Sequence, residues 1–170
     1  MSGREEFRRR LYKDGRPNRL ARVANRITAW LHSAGIWPQR YVTLEIRGRR
    51  SGRAIKFPLV MADYEGDRYL VSMLGNDVNW VHNVLAAGGE AVLHHGRRER
   101  VRLTLVDVKN RPPIIRRYLD CAPGARPHVP VDRGASLEAF AEIAPRIPVF
   151  RVDSTDRLSQ VRRGSGLDAD

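Results

Sequence analysis

After Pro38 the hydrophobicity of this chain takes a period of two: Val42, Leu44 and Ile46 alternate with Thr43, Glu45 and Arg47. Successive side chains on a strand point to opposite faces, so the alternation describes a strand with one buried face. Turn signals divide the next fifty residues into further short pieces. Gly48-Arg49-Arg50-Ser51-Gly52-Arg53 reads as a turn, 55–61 as a second strand, Glu65-Gly66-Asp67 as a hairpin turn and 68–73 as a third strand. Pro58 marks the second strand as bulged or at an edge, because proline cannot donate to a ladder. A polar loop over 75–79 leads into a short helix over 79–87, closed by Gly88-Gly89. Residues 91–95 and 99–108 form another hairpin, turning at Gly96-Arg97. Five or six short antiparallel strands with inserted helices predict an α+β protein built on a small, partly open barrel.

The flanks obey other rules. Residues 4–16 are basic and poorly periodic, which suits an extension or a short frayed helix. From Asn18, the residues Leu20, Val23, Ala24, Ile27, Trp30, Leu31 and Ala34 recur at helical spacing, with Arg19, Arg22 and Arg26 off the stripe. Asn18 can cap this helix and Gly35 can stop it. A basic amphipathic helix suits packing on its own domain, contact with an anionic membrane surface, or an oligomer interface. Later, Asn110 followed by Pro112 and Pro113 opens a helix over 114–120. Residues 121–134 form a long proline-bearing loop of a kind that is often functional. Ser136 caps a helix through Ile143, residues 148–152 make a last strand, and the chain turns polar from Ser154.

Composition narrows the partners. The 170 residues are 42% hydrophobic, enough to bury a core. Thirty-one Lys+Arg against 19 Asp+Glu give a net charge of +12, and only Lys13, Lys56 and Lys109 are not arginine. Guanidinium forks match phosphate and carboxylate, so anionic partners are favoured. An arginine-biased surface encoded by a GC-rich genome would give the same total, and the charge alone selects nothing. Nucleic acid is not expected: 7% of residues are aromatic and no reading motif is present. No apolar run approaches the roughly 20 residues of a membrane span. With no secretory leader and with Cys121 as the single cysteine, a cytoplasmic protein is expected. No metal is expected either. His94 and His95 are adjacent on a strand and point apart, Cys121 has no partner cysteine, and His32, His82 and His128 lack ligand spacing.

Two segments carry site-like chemistry. In the Gly48–Arg53 turn, glycines allow close approach, several backbone N–H groups can converge on one anion, and the arginines add charge-assisted hydrogen bonds. The segment lacks the ending of a P-loop and opens no helix. The second is Ser72-Met73-Leu74-Gly75 followed by Asn79-Trp80-Val81-His82-Asn83. Here a strand end passes through glycine into a helix N-terminus, which attracts electron-rich groups. Trp80 suits stacking on a flat ring and Asn83 can reach a ring edge; the same residues equally suit a core aromatic and a surface amide.

Together, strand, Gly-Arg-Arg-Ser-Gly-Arg, Pro58-Leu59, 66–72 and 80–87 resemble the deazaflavin-dependent nitroreductase family, over roughly 38–152. The resemblance implies a split β-barrel, similar to FMN-binding split barrels, with peripheral helices. It divides the chain into an N-terminal extension and amphipathic helix (1–37), a cofactor-binding barrel (38–153) and a polar tail (154–170). The implied cofactor is coenzyme F420, ahead of FMN. Arg49, Arg50, Ser51, Gly52 and Arg53 would hold its acidic tail, with Lys56 standing near the position where members often carry a basic residue. Pro58 and Leu59 would flank the ring, and Ser72, Met73, Leu74, Gly75, Trp80 and Asn83 would close its other side. The implied activity is hydride transfer between reduced cofactor and a small electrophilic acceptor such as a quinone, enone or nitro compound. Tyr118 and His128 are the candidate proton donors. A non-catalytic barrel that stores a flavin, deazaflavin or lipid-like ligand would present the same pocket. Monomer and homodimer both remain open.

Overall fold

The structure, a computed structural model, describes residues 12–13, 16–17 and 40–155. The chain divides into two compact units, Met1–Gly35 and Ile36–Asp170. In the first, β1 (Tyr12–Lys13) pairs antiparallel with β2 (Arg16–Pro17). At residues 12–13 and 16 the chain is therefore strand and not helix, and the rest of the 4–16 segment lies outside the described residues. The amphipathic helix expected over 18–35, and the tail beyond 155, lie outside the described residues.

The second unit is a six-stranded barrel. Its strands are β3 (Tyr41–Arg47), β4 (Ala54–Tyr64), β5 (Asp67–Val71), β6 (Glu90–His95), β7 (Arg97–Leu105) and β8 (Val149–Ser154). Every neighbouring pair is antiparallel and the ring runs β3-β4-β5-β8-β7-β6 back to β3. The barrel expected to be partly open is therefore closed, although β6 returns to β3 through only three residue pairs. Helices α1 (Asn79–Ala86), α2 (Arg111–Cys121) and α3 (Leu137–Ile143) are inserted between strands.

The period-two segment is β3, with Val42, Leu44 and Ile46 buried against Leu59, Phe57 and Ile55 of β4 in register. Pro58 sits at an edge, not a bulge. The β3–β4 register runs unbroken from Ala54 to Val60, and β5 joins β4 only from Met61 onward. The β4–β5 hairpin turns through Glu65 (φ 50°) and Gly66 (φ 84°), a left-handed pair that matches the twist of the strands. Ser136 caps α3, its Oγ accepting from the Ala139 N–H at 3.4 Å.

Several expected boundaries move. Met73 lies in the loop after β5, which ends at Val71. Strand β7 starts at Arg97 and stops at Leu105, leaving Val108 to a 3₁₀ turn. Cys121 ends α2, and a 3₁₀ helix over Pro123–His128 occupies part of the expected loop. Strand β8 continues to polar Ser154, because Val101 of β7 pairs with it. A cross-strand partner decides where a polar segment stays extended.

The barrel interior holds Leu44, Leu70, Leu93, Val101, Leu103 and Phe150, with Trp80 of α1 laid against Phe150 at a centroid distance of 5.5 Å and a 60° tilt. One ion pair shares the inward face. Arg68 and Glu99 alternate in step with Leu70 and Leu93, and both guanidinium Nη atoms donate to the carboxylate at 2.8 Å, joining β5 to β7 across β8. That guanidinium holds the Glu99 carboxyl below the ordinary carboxylate range.

Phe150→Ala is expected to lower unfolding free energy by about 3–5 kcal/mol in urea titration, through lost transfer energy and the cavity left behind. The Arg68–Glu99 pair gives a pH prediction. The folded pKa of Glu99 is depressed, so its stabilisation is complete above the unfolded value and is lost as pH falls through the lower folded value. In Arg68→Met the unpaired, half-buried carboxyl is expected to rise in pKa, so this contribution reverses sign and stability falls with rising pH. Urea midpoints measured from pH 3 to 6, about the ordinary carboxylate range, would read the difference.

Candidate functional site

The Gly48–Arg53 turn is built by its own backbone. Gly48 N–H donates to Arg53 O and Gly52 N–H to Gly48 O, each at 2.8 Å, with Gly52 at φ 65°. Ser51 Oγ accepts from Arg53 N–H at 3.3 Å, and Arg47 Nε donates to Gly52 O at 3.2 Å. Arg49 then ties the turn to α1. Its N–H (3.2 Å) and Nη1 (3.0 Å) both donate to Asn83 Oδ1, and its guanidinium reaches Asn79 Oδ1 at 3.4 Å.

These bonds correct part of the expected site. Asn83 is 2% exposed, and its amide oxygen is occupied by Arg49 and does not face a ring edge. Arg49, though exposed, is engaged with α1 through Asn79 and Asn83. The N–H groups of Gly48, Arg49, Gly52 and Arg53 are taken inside the protein, so they do not converge on an anion. Leaving a buried acceptor unmatched costs about 1–3 kcal/mol, which is why these partners satisfy each other. Arg49 to Arg53 are all exposed, and of the three guanidiniums those of Arg50 and Arg53 are not engaged with α1.

The ring-side expectations separate in the same way. Lys56 Nζ stands 3.4 Å from Glu45, whose carboxylate also meets His94 Nε2 at 3.0 Å and Arg98 Nη2 at 3.5 Å. Burial works to raise the Glu45 pKa, but the hydrogen bonds from His94 and Lys56 prevail and hold it low. Pro58 and Leu59 point to opposite faces, and Leu59 packs on the barrel core, so their side chains cannot both flank one ligand. Trp80 is a core residue, 7% exposed and packed on Phe150, and does not cover a planar ligand.

The Ser72–Gly75 segment folds on itself. Ser72 Oγ donates to Gly75 O at 2.7 Å, Gly75 N–H returns to Ser72 O at 3.0 Å, and Ser72 N–H donates to Pro148 O at 2.9 Å. Gly75 adopts φ 89° at the bend. This leaves Met73, Leu74 and Gly75 as one wall of a cavity of about 320 Å³, opposite His128, Pro130, Ile143, Arg146 and Ile147. The cavity thus joins the loop before α1 to one of the two proton-donor candidates. The other, Tyr118, is not among its lining residues. It is buried in α2, which packs on β4 and α3, and burial drives its phenol well above the ordinary tyrosine range. Arg146, Ile143 and Ile147 were not expected at a site; the proline-rich stretch before them was the available signal.

No family model matches this chain, and no curated protein matches it. Among solved structures, it is similar to the Agrobacterium tumefaciens protein Atu2129, of unknown function: 13% identity, 76% of this chain and 54% of that one, TM-score 0.51. It is also similar to the F420-H2 dependent reductase FDR-A, at 17% identity over 68% of this chain and 95% of that one, TM-score 0.48. A third is a putative pyridoxamine 5′-phosphate oxidase from Listeria innocua, at 10% identity over 78% of this chain and 93% of that one, TM-score 0.47. Likeness at this level speaks to architecture. The chain is an α+β protein built on a split β-barrel of antiparallel strands with peripheral helices.

Asn83→Ala removes the acceptor that holds Arg49. It is expected to cost about 1–3 kcal/mol of stability and to speed hydrogen exchange selectively at the amides of the Gly48–Arg53 turn.

Proposed function

We propose that this chain is an F420-dependent oxidoreductase that transfers a hydride between the reduced coenzyme and a small electrophilic acceptor such as a quinone, enone or nitro compound. One observation carries the reading. Arg49 locks the turn onto the first residues of α1, and the segment that leads into α1 walls the cavity holding His128. A cationic turn and a largely apolar cavity are therefore linked through one helix end. The block from Gly48 to Ala87 that resembles the deazaflavin-dependent nitroreductases supports the same reading.

The donor set suits the acidic, phosphate-bearing end of the coenzyme. Arg50 and Arg53 are exposed, and their guanidiniums meet no carboxylate among the described residues. Exposed guanidinium forks grip phosphate and carboxylate through two parallel hydrogen bonds. When bound, the coenzyme supplies the hydride chemistry; the protein supplies position, water exclusion and a proton. Arg50 and Arg53 would hold the tail, with Arg49 positioning the turn through Asn83. Met73, Leu74, Ile143 and Ile147 would exclude water from the acceptor, and a ring nitrogen of His128 would carry the proton that the reduced product needs. Arg146 would face any negative charge developing on the acceptor oxygen.

The test is fluorescence titration with F420 and with FMN, followed by oxidation of reduced F420 by menadione. F420 is expected to bind, and Arg50→Glu to weaken it by about 100-fold through loss of two charge-assisted bonds and gain of a repulsion. His128→Ala is expected to slow menadione reduction by about 100-fold while leaving F420 affinity unchanged. Equal affinity in Arg50→Glu would refute the site. Binding without oxidation would make the chain a storage protein, and binding of FMN alone would make it a flavoprotein.

A further inference from the structure

The short ladder that closes the barrel leaves a second feature. Strands β3 and β6 pair only at Thr43–Glu45 against Val92–His94. Beyond Glu45 they part, although β3 stays bound to β4 and β6 to β7. A groove of about 530 Å³ lies over the parting. Val92 gives it an apolar floor, with the buried Ile46 and Val101 beneath. Its walls carry Arg47 from β3 and Arg100 and Arg102 from β7, the last two being alternate residues and so on one face.

The charges in the groove do not cancel. Glu45 is already met by Lys56, His94 and Arg98. Glu90 stands 3.8 Å from Arg102. Arg47 gives its Nε to Gly52 O and meets no carboxylate, and the Arg100 side chain has no hydrogen-bond or ion-pair partner among the described residues. The register Glu45–Val92–Arg100 runs across three strands, so the two uncompensated guanidiniums belong to opposite walls with Val92 between them. Like charges sharing a groove repel, and one anion between them removes that cost. Glu45 shares the register row of Val92 and Arg100, with its charge already met by Lys56, His94 and Arg98.

We propose that this groove binds a small amphiphilic anion, its carboxylate or phosphate head held between Arg47 and Arg100 and its apolar chain laid on Val92. The groove borders the Gly48–Arg53 turn at Gly52, but neither Arg50, Arg53 nor the His128 cavity lines it.

Calorimetric titration with octanoate, octyl phosphate, inorganic phosphate and octyltrimethylammonium tests it. At least one of the two alkyl anions is expected to saturate a single site, and the stronger of them identifies the head group. Inorganic phosphate and the alkyl ammonium are expected to bind at least about tenfold more weakly. Arg100→Glu, and separately Val92→Asp on the floor, should each weaken the preferred anion by about tenfold or more, whereas Arg50→Glu should leave it unchanged. F420 titration of Arg100→Glu should match the parent chain, so failure here and failure of the redox reading are separable. The proposal is overturned if neither alkyl anion saturates, if inorganic phosphate binds as tightly, or if Arg100→Glu, still folded by thermal unfolding, binds as the parent does.

Discussion

Strand β8 carries Phe150 into the barrel and hydrogen-bonds to β5 on one side and β7 on the other. Without it, β5 and β7 would face solvent as open edges, and Trp80 would lose the ring it packs on. A strand that arrives more than forty residues after its hairpin neighbours thus completes both the ring of ladders and the core inside it. The interior pair Arg68–Glu99 depends on the same strand, because it spans β5 and β7 over the top of β8. A half-buried charge pair of this geometry is tolerated because two parallel bonds from Arg68 meet both carboxylate oxygens.

The excursion between β7 and β8 is what gives the barrel a site. It contains α2 and α3, and it is fastened at its base by Arg111, which is 6% exposed. Arg111 donates to Val106 O at 2.8 Å, Ala144 O at 3.1 Å and Ile147 O at 3.4 Å. These carbonyls lie at the two ends of the excursion, so one buried guanidinium closes it into a compact flap. The flap carries His128, Arg146 and Ile147 to the loop after β5. The hydrogen bond from Ser72 N–H to Pro148 O stitches that loop to the entry of β8. The cavity therefore depends on β8 docking beside β5.

The arginine richness of the chain resolves into several separate jobs. Arg68 and Arg111 are structural, Arg49 is a clamp, and Arg117 braces α2 on Asp63 of β4 at 3.0 Å. Arg47, Arg50, Arg53, Arg100 and Arg146 are among those that meet no carboxylate among the described residues. Net charge says how many cations exist; only their partners say which of them remain free to bind an anion.

The period-two run at Val42–Ile46, the glycine turns at Gly66 and Gly96, and the Ser136 cap are local properties. Backbone angles and side-chain alternation follow from neighbouring residues, so the sequence alone determined the strands, the hairpins and the α+β class. Ring closure, the extent of β8 and the cavity at His128 were decided in three dimensions, because their partners are tens of residues apart. The same holds for Asn83, Trp80 and Arg49: their types suited a ligand as well as a core. The choice turned on whether Phe150 and the Gly48–Arg53 turn came within reach, and local chemistry carries no information about which distant groups will arrive.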